Sequence, residues 1–381
     1  MKSFLADHQK EHCVNCDACV QICPVQAISI HKDFLEFGYP SIDEAKCIHC
    51  NKCQKVCFFT DHNIRFPQND PVAYAAWNND ELVRLSSSSG GVFGALAMTI
   101  LKRNGSVYGA VYDDIFNVKH IRIDSVEDLN PLFGSKYIQS DIHGIYSSIE
   151  TDLKSRPILF CGTPCQIAGL YSFLGNKEYP GLYTCDLICH GVLSKPALDY
   201  QIKEIEDEVG DQIVKINLRD KKRGQGLLIH IITKMQCERW YEMKQTSFYD
   251  LFNHNYYLRD SCFSCEFSST KRISDVTLGD FWGIEKKHPG LKDPRGVSFI
   301  LVNTNKGNSL LQCSEVQYES VMISDSDQPN LYHPTNPDIW HKSFLKEAKK
   351  KGIEYAIKHY TAPRPIWKKI LRFIQRKFQF V

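Results

Sequence analysis

Short apolar runs separated by turn residues set the pattern of this chain from residue 72 onward. After the polar loop PQNDP (Pro67–Pro71), VAYAAW opens a new unit. Ser86–Gly91 (SSSSGG) leads into VFGALAMTILKRNG, which reads as a helix. Its serines are expected to cap free backbone N–H groups, and it closes on Lys102, Arg103 and Gly105. SVYGAVY (Ser106–Tyr112) and the region of HIRI (His120–Ile123) read as strands. PILFCG followed by TPCQIAGLYSFLG reads as strand, turn and helix. GLYTCDLICHG (Gly181–Gly191) is a buried strand ending in Cys-His-Gly. KPALDYQIKEIEDEVG has a helical period, and IVKINLRDK and GLLIHIITKM alternate as strands. Strands alternating with helices predict a mixed α/β body.

The first 66 residues follow a different logic. Cys13, Cys16, Cys19 and Cys23 recur 34 residues later as Cys47, Cys50, Cys53 and Cys57, each set reading C-x-x-C-x-x-C-x-x-x-C. Three thiolates at that spacing can cap three corners of one cubane, and the fourth ligand comes from the other motif. This assigns Cys13, Cys16, Cys19 and Cys57 to one 4Fe–4S cluster, and Cys47, Cys50, Cys53 and Cys23 to a second. Paired zinc knuckles need only two C-x-x-C units and would waste the third cysteine. Pro24 completes the bacterial ferredoxin pattern after Cys23, whereas Phe58 replaces proline after Cys57. The resulting division is a double-cluster ferredoxin-like domain over 1–66 and a body over 71–150 and 151–325. An irregular linker and basic tail follow over 326–381, so the class is α+β with a mixed α/β body.

Composition narrows the setting. The 381 residues are 43% hydrophobic and 24% charged, enough for a packed interior. Sixteen cysteines fall below the density of a secreted disulfide scaffold. MKSFLADHQKEHC lacks the apolar core of a signal peptide, so thiols or metal ligands in a cytoplasmic protein are expected. The longest uncharged run, Leu85–Leu101, begins with serine and glycine and is too short to span a membrane. The net charge of +2 hides an asymmetry: residues 341–381 carry twelve Lys/Arg against two Glu, on an otherwise acidic chain. Arg364–Val381 reads as an amphipathic basic helix suited to peripheral contact with an anionic membrane, or to the chain's own acidic body. The acidic body argues against nucleic acid.

Eight cysteines lie beyond residue 150. Cys165 opens a helix after Gly-Thr-Pro, Cys189 ends a strand beside His190, and Cys262 and Cys265 form a C-x-x-C. Three readings stand for them. One is a third cluster on Cys165, Cys189, Cys262 and Cys265. Another is a redox pair, Cys161–Cys165 or Cys262–Cys265. The last is structural cysteines or zinc. Cys185, mid-strand, reads as a small packing residue. The SSSSGG stretch before a helix suits an anionic group, with Arg84 adding charge, or it is simply a capped core helix.

Seven motifs appear in order: Arg84 with Ser86–Gly91, Gly134-Ser-Lys-Tyr137 with Gln139-Ser140, Gly162-Thr-Pro-Cys-Gln166, Asp186 with Cys189-His-Gly191, Arg219-Asp-Lys221, Cys262-x-x-Cys265, and Asp275 with Gly279-Asp-Phe-Trp-Gly283. Together they resemble the coenzyme F420 hydrogenase/dehydrogenase beta-subunit family with an N-terminal double-cluster module. The resemblance covers about residues 1–325. It implies a flavin, usually FAD, near Arg84, Ser87, Ser88, Ser89, Gly90, Gly91, Lys136, Tyr137 and Arg219. It also implies a body cluster on Cys165, Cys189, Cys262 and Cys265, with Cys161 outside the motif. Lys136 and His190 are the catalytic candidates: a charge on reduced flavin and a proton donor. For His190 a hydrogen-bonding role beside the cluster is preferred. The implied activity is an iron–sulfur flavoprotein oxidoreductase fed by a ferredoxin-like donor and acting on a small organic substrate. Deazaflavin redox or polysaccharide biosynthesis are the contexts such relatives suggest. An electron-transfer subunit and a thiol–disulfide reductase are the alternatives. A homo-oligomer is expected, in the cytoplasm or at the inner membrane face.

Overall fold

A computed structural model describes residues 12–361 apart from 62, 63, 65 and 227. The basic helix expected over Arg364–Val381 lies outside the described residues. Among the described residues no helix is long and apolar enough to cross a membrane.

The N-terminal module is wound by its repeat. Asn15 and Asp17 flank Cys16 with φ of 51° and 62°, and His49 and Asn51 flank Cys50 with φ of 52° and 58°. Asn, Asp and His tolerate the left-handed region better than other side chains. Equivalent positions of the two repeats thus reverse the chain in the same way. One-turn helices Ala18–Gln21 and Lys52–Lys55 follow, packed on each other. An antiparallel hairpin, β1 (Ile28–Lys32) with β2 (Gly38–Ile42), lies between the repeats.

The body is built on one mixed sheet of eight strands. These are β3 (Val72–Asn78), β4 (Ser106–Tyr112), β5 (Val118–Ile123), β6 (Ile158–Cys161), β7 (Leu182–Leu187), β11 (Val276–Asp280), β12 (Ser298–Val302) and β13 (Val316–Val321). Their order is β13-β3-β12-β11-β7-β6-β4-β5. The central β4, β6, β7 and β11 are parallel, and their neighbours antiparallel. Segments 71–150 and 151–325 therefore share one sheet and one core. Loops at the carboxyl ends of β6, β7 and β11 carry Gly162–Cys165, Cys189–Gly191 and Asp280–Gly283. That edge is where open α/β sheets gather ligand sites.

A second, antiparallel sheet of β8 (Ile213–Asp220), β9 (Leu228–Thr233) and β10 (Glu238–Glu242) packs beside helices Lys195–Val209 and Ser247–Asn253. Residues read above as linker and tail contribute here. His341–Lys351 and Ile353–Thr361 are helices that bury Phe344, Ala348, Ala356, Ile357 and Tyr360 in this core. Phe344 stacks on Tyr257 with centroids 5.1 Å apart, which gives an isolated apolar stripe its partner. Leu35 and Phe37 of the hairpin loop enter the same core, so the N-terminal module is docked and not tethered.

The helix after SSSSGG, Val92–Leu101, opens differently from the expectation. Its N-cap is Gly91 at φ 80°, and no side chain caps it. The serines are used elsewhere: the Ser88 hydroxyl accepts from Ser135 N and Oγ at 2.8 Å, and the Ser89 hydroxyl donates to Val297 O at 3.0 Å. Gly90 is needed for packing, since a Cβ there would lie 2.3 Å from Ala76 O.

Candidate functional site

Three groups of cysteines form in the fold. Cys13, Cys16, Cys19 and Cys57 line one cavity with Val14, Asp17, Ala18, Pro40, Phe58 and Phe59. Burial raises the Cys16 and Cys19 thiols well above their ordinary range. The charges of Cys13 and Cys57 raise both further, and Cys19 also senses Cys53 of the second repeat. Cys47 and Cys50 flank Cys53 closely enough to push its thiol up, after burial itself. Cys23 accepts a hydrogen bond from Ala27 N at 3.2 Å. Cys50 is exposed, and Ile48 beside it is 59% exposed, so this second group faces outward.

The third group comes from three separate loops. Burial pushes Cys165 up to about 11 and Cys262 up to about 12, and Cys265 adds to both. Cys189 is raised by burial and then by the charges of Cys262, Cys165 and Cys265. Thiols that repel one another in a buried site are held ionised only by a cation, and metal binding is what releases their protons. This donor chemistry suits iron–sulfur clusters at the grouped thiols. Gly191, at φ 137°, presses on Cys262: a Cβ there would lie 3.3 Å from Cys262 Cβ and 3.5 Å from its Sγ.

Cys161 and Cys165 do not pair. Cys161 faces Cys185 across the parallel β6–β7 ladder, and the Cys185 thiol hydrogen-bonds toward it. Cys165 instead sits 3.1 Å from the Thr163 hydroxyl. Thr163 caps the helix Pro164–Phe173 reciprocally with Gln166. From Gln166 a directed chain runs inward. Gln166 Nε2 donates to Ser140 Oγ at 2.9 Å, Ser140 to His120 Nδ1 at 3.0 Å, and His120 Nε2 to Cys161 O at 2.9 Å. The Gly-Thr-Pro-Cys-Gln and Gln-Ser motifs are thus two ends of one network that fixes the Cys165 turn.

The module meets the body along that helix. A Cβ on Gly169 would lie 2.7 Å from Cys16 Cβ, so only glycine lets Cys16 approach one turn beyond Cys165. Tyr146 fills the space beside them, donating to Gln166 O at 2.8 Å, and its hydroxyl senses both Cys16 and Cys165. Phe58 packs edge-on against Phe267 at 5.9 Å, which accounts for the missing proline after Cys57. Sequence reasoning missed Gly169, Tyr146 and Arg259; none has a signature apart from its partner.

The residues expected at a flavin largely hold one another. Arg84 is buried, donates to Gly296 O at 2.9 and 2.6 Å, and pairs with Asp293 at 3.2 Å. Lys221 donates to the carbonyls of Arg84, Ser89 and Arg295, clipping the loop. Arg219 pairs with Asp280 at 2.8 Å and donates to the Tyr137 hydroxyl at 2.9 Å. Ser87 donates to Val83 O at 2.8 Å. Lys136 donates to Pro131 O and Phe133 O, and burial brings it down to about 7. His190 is engaged at both ring nitrogens: Nε2 lies 2.7 Å from Asn255 Oδ1, and Nδ1 lies 3.4 Å from the Thr335 hydroxyl. Burial lowers its pKa. It orients the Cys189 loop, and Thr335 also donates to its carbonyl at 2.6 Å.

Cysteines grouped beside an α/β sheet edge are the donor set of an iron–sulfur protein. Residues 155–324 match the family described as the C-terminal region of the coenzyme F420 hydrogenase/dehydrogenase beta chain, and residues 12–60 match the 4Fe-4S dicluster domain. The chain is 22% identical over 371 residues to a coenzyme F420-dependent sulfite reductase of Methanocaldococcus jannaschii, covering 92% of this chain and 52% of that protein. It is 37% identical over 73 residues to the methylamine utilization ferredoxin-type protein MauM of Methylobacillus flagellatus, covering 16% of this chain and 30% of that protein. The chain thus spans about half the length, or less, of these curated relatives. A chain of the F420-reducing [NiFe] hydrogenase complex from Methanosarcina barkeri aligns at a TM-score of 0.47 and 16% identity, over 76% of this chain and 90% of that one.

Proposed function

We propose that this chain is a flavin-dependent iron–sulfur oxidoreductase with three 4Fe–4S clusters. Cys13, Cys16, Cys19 and Cys57 hold one, Cys47, Cys50, Cys53 and Cys23 the second, and Cys165, Cys189, Cys262 and Cys265 the third. When bound, such clusters carry single electrons and a flavin converts them to two-electron chemistry on an organic substrate. The observation that carries the reading is the single helix Pro164–Phe173. It presents Cys165 to one group and receives Cys16 of another at Gly169. Exposed Cys50 gives a ferredoxin-type donor its point of approach, and the body group lies at the sheet edge.

These residues suit a flavin by their donors. The first-turn N–H groups of Val92–Leu101 lack a side-chain cap, and the Lys136 ammonium meets only carbonyls. Lys136 supplies positive charge at an anionic edge, and the paired Arg219 and Asp280 hold Tyr137 in place. His190 acts as a positioning residue for Cys189. The substrate class we assign is a small organic molecule, with a deazaflavin among the candidates because the sulfite reductase relative is F420-dependent. A second reading is an electron-transfer subunit serving a partner enzyme. It draws on the match to only 52% of the sulfite reductase.

Anaerobic purification with flavin extraction tests the reading. The expected result is about one flavin per chain, bleached when a reduced ferredoxin is added. A chain that carries iron but no flavin would contradict the flavin assignment and favour the second reading.

A further inference from the structure

Arg259 is 1% exposed, and each of its guanidinium nitrogens donates a hydrogen bond. Nε donates to Cys13 O at 2.7 Å, one terminal nitrogen to Gly38 O at 2.9 Å, and the other to Gln139 Oε1 at 3.0 Å. Gln139 donates in turn to Val14 O at 2.8 Å. The guanidinium carbon lies 4.4 Å from the Tyr39 ring centroid. Through its backbone the same residue belongs to the other side: Arg259 N donates to Val192 O at 3.1 Å, and Arg259 O accepts from Cys262 N at 2.8 Å. The side chain therefore grips the Cys13 loop while the backbone shapes the Cys262 loop.

Every hydrogen-bond acceptor of this guanidinium is neutral, and among the described residues no carboxylate forms an ion pair with it. A buried charge without a counter-charge is expensive, so such groups are almost always paired or bound to an ion. The Asp33 and Asp260 carboxylates act on the neighbouring Tyr39, while the guanidinium itself sits on the backbone of the proposed ligand Cys13 and the Arg259 carbonyl receives the N–H of the proposed ligand Cys262. A cubane held by four thiolates is negatively charged, and more so when reduced, and nearby cations favour its reduced form.

We infer that Arg259 is the shared counter-charge of the Cys13/Cys16/Cys19/Cys57 and Cys165/Cys189/Cys262/Cys265 clusters, and that it raises the reduction potential of both. The inference rests on the reading that both groups hold clusters. Arg259 is a positioning and tuning residue, since it donates to backbone and amide oxygens near the ligands and not to the ligand sulfurs. The outward-facing Cys47 group has no such cation assigned to it. Electrons arriving there would pass to two sites held at higher potential.

The test is an EPR-monitored redox titration of the full chain, with iron analysis, on the native protein and on Arg259→Gln, Arg259→Lys and Gln139→Glu. Gln139→Glu sets a carboxylate on Arg259 in a side chain of the same length, at the cost of the donation to Val14 O, and it keeps the test open where Arg259→Gln fails to load iron. The expected result is a shift to more negative potential for both flanking clusters in Arg259→Gln and Gln139→Glu. The shift is smaller in Arg259→Lys, and the Cys47 cluster does not move. Unchanged flanking potentials in iron-replete Gln139→Glu would overturn the inference, as would an equal shift in Arg259→Lys and Arg259→Gln. Absence of cluster signals from the native protein would instead overturn the reading on which it rests.

Discussion

Cys16 and Gly169 are in direct contact. An added Cβ at 169 would sit 2.7 Å from Cys16 Cβ, 2.8 Å from the Tyr146 hydroxyl and 3.1 Å from Cys16 Sγ. The N-terminal module and the body are thereby joined at the helix that also carries Cys165. Gly169→Ala places a methyl group where only hydrogen fits, so the module must shift. Overpacking of this kind costs about 1–3 kcal/mol. A lower thermal midpoint and faster proteolytic separation of the module are expected; an unchanged midpoint would contradict the contact.

Phe58→Ala probes the same interface from the other side. Phe58 is 2% exposed and meets Phe267 edge-on, two residues after Cys265. Truncation removes a buried aromatic ring and should destabilise the docked state by about 3 kcal/mol. Denaturant unfolding of the native and variant chains measures it. A loss under about 1 kcal/mol would place little weight on this contact.

These two residues also mark what the sequence carried. Cluster spacing in the module is local, four cysteines within eleven residues, and was legible from C-x-x-C-x-x-C alone. Strands such as Ser106–Tyr112 were legible because alternation and flanking turns are local as well. The body cysteines were grouped through ordered motifs, since Cys165 and Cys262 lie on loops brought together only by the sheet. Arg259 and Cys13 are 246 positions apart, and no periodicity links them. Helices His341–Lys351 and Ile353–Thr361 were obscured by basic composition, because the stripe holding Phe344 and Tyr360 finds its partner in Tyr256 and Tyr257. The serines of Ser86–Gly91 fit a cap by propensity, yet Ser88 and Ser89 are claimed by Ser135 and Val297, far along the chain.

His120 gives a pH dependence with a definite sign. Burial lowers its pKa from 6.5 to about 4, and its ring is neutral between Ser140 and Cys161 O. Between those values the unfolded chain takes up a proton that the folded chain refuses. Stability contributed by the neutral ring is therefore present above pH 6.5 and lost as pH falls toward 4, by up to about 3 kcal/mol. His120→Asn should be less stable at about pH 7 but should lose less on acidification. Parallel pH profiles for the two proteins would contradict this.

Lys136 tests the proposed flavin site. Lys136→Met removes the half-buried ammonium while keeping an unbranched side chain, and the proposed flavin should bind about tenfold more weakly. Flavin retained after gel filtration reports it, with iron content unchanged. Equal flavin retention in the two proteins would move the site away from Lys136.

The proposed third cluster rests on Cys165 and not on Cys161. Iron and sulfide analysis of anaerobically purified native, Cys165→Ser and Cys161→Ser chains tests it most directly. About twelve irons are expected in the native chain and in Cys161→Ser, and about four fewer in Cys165→Ser. About eight irons in the native chain, with no loss in Cys165→Ser, would contradict it.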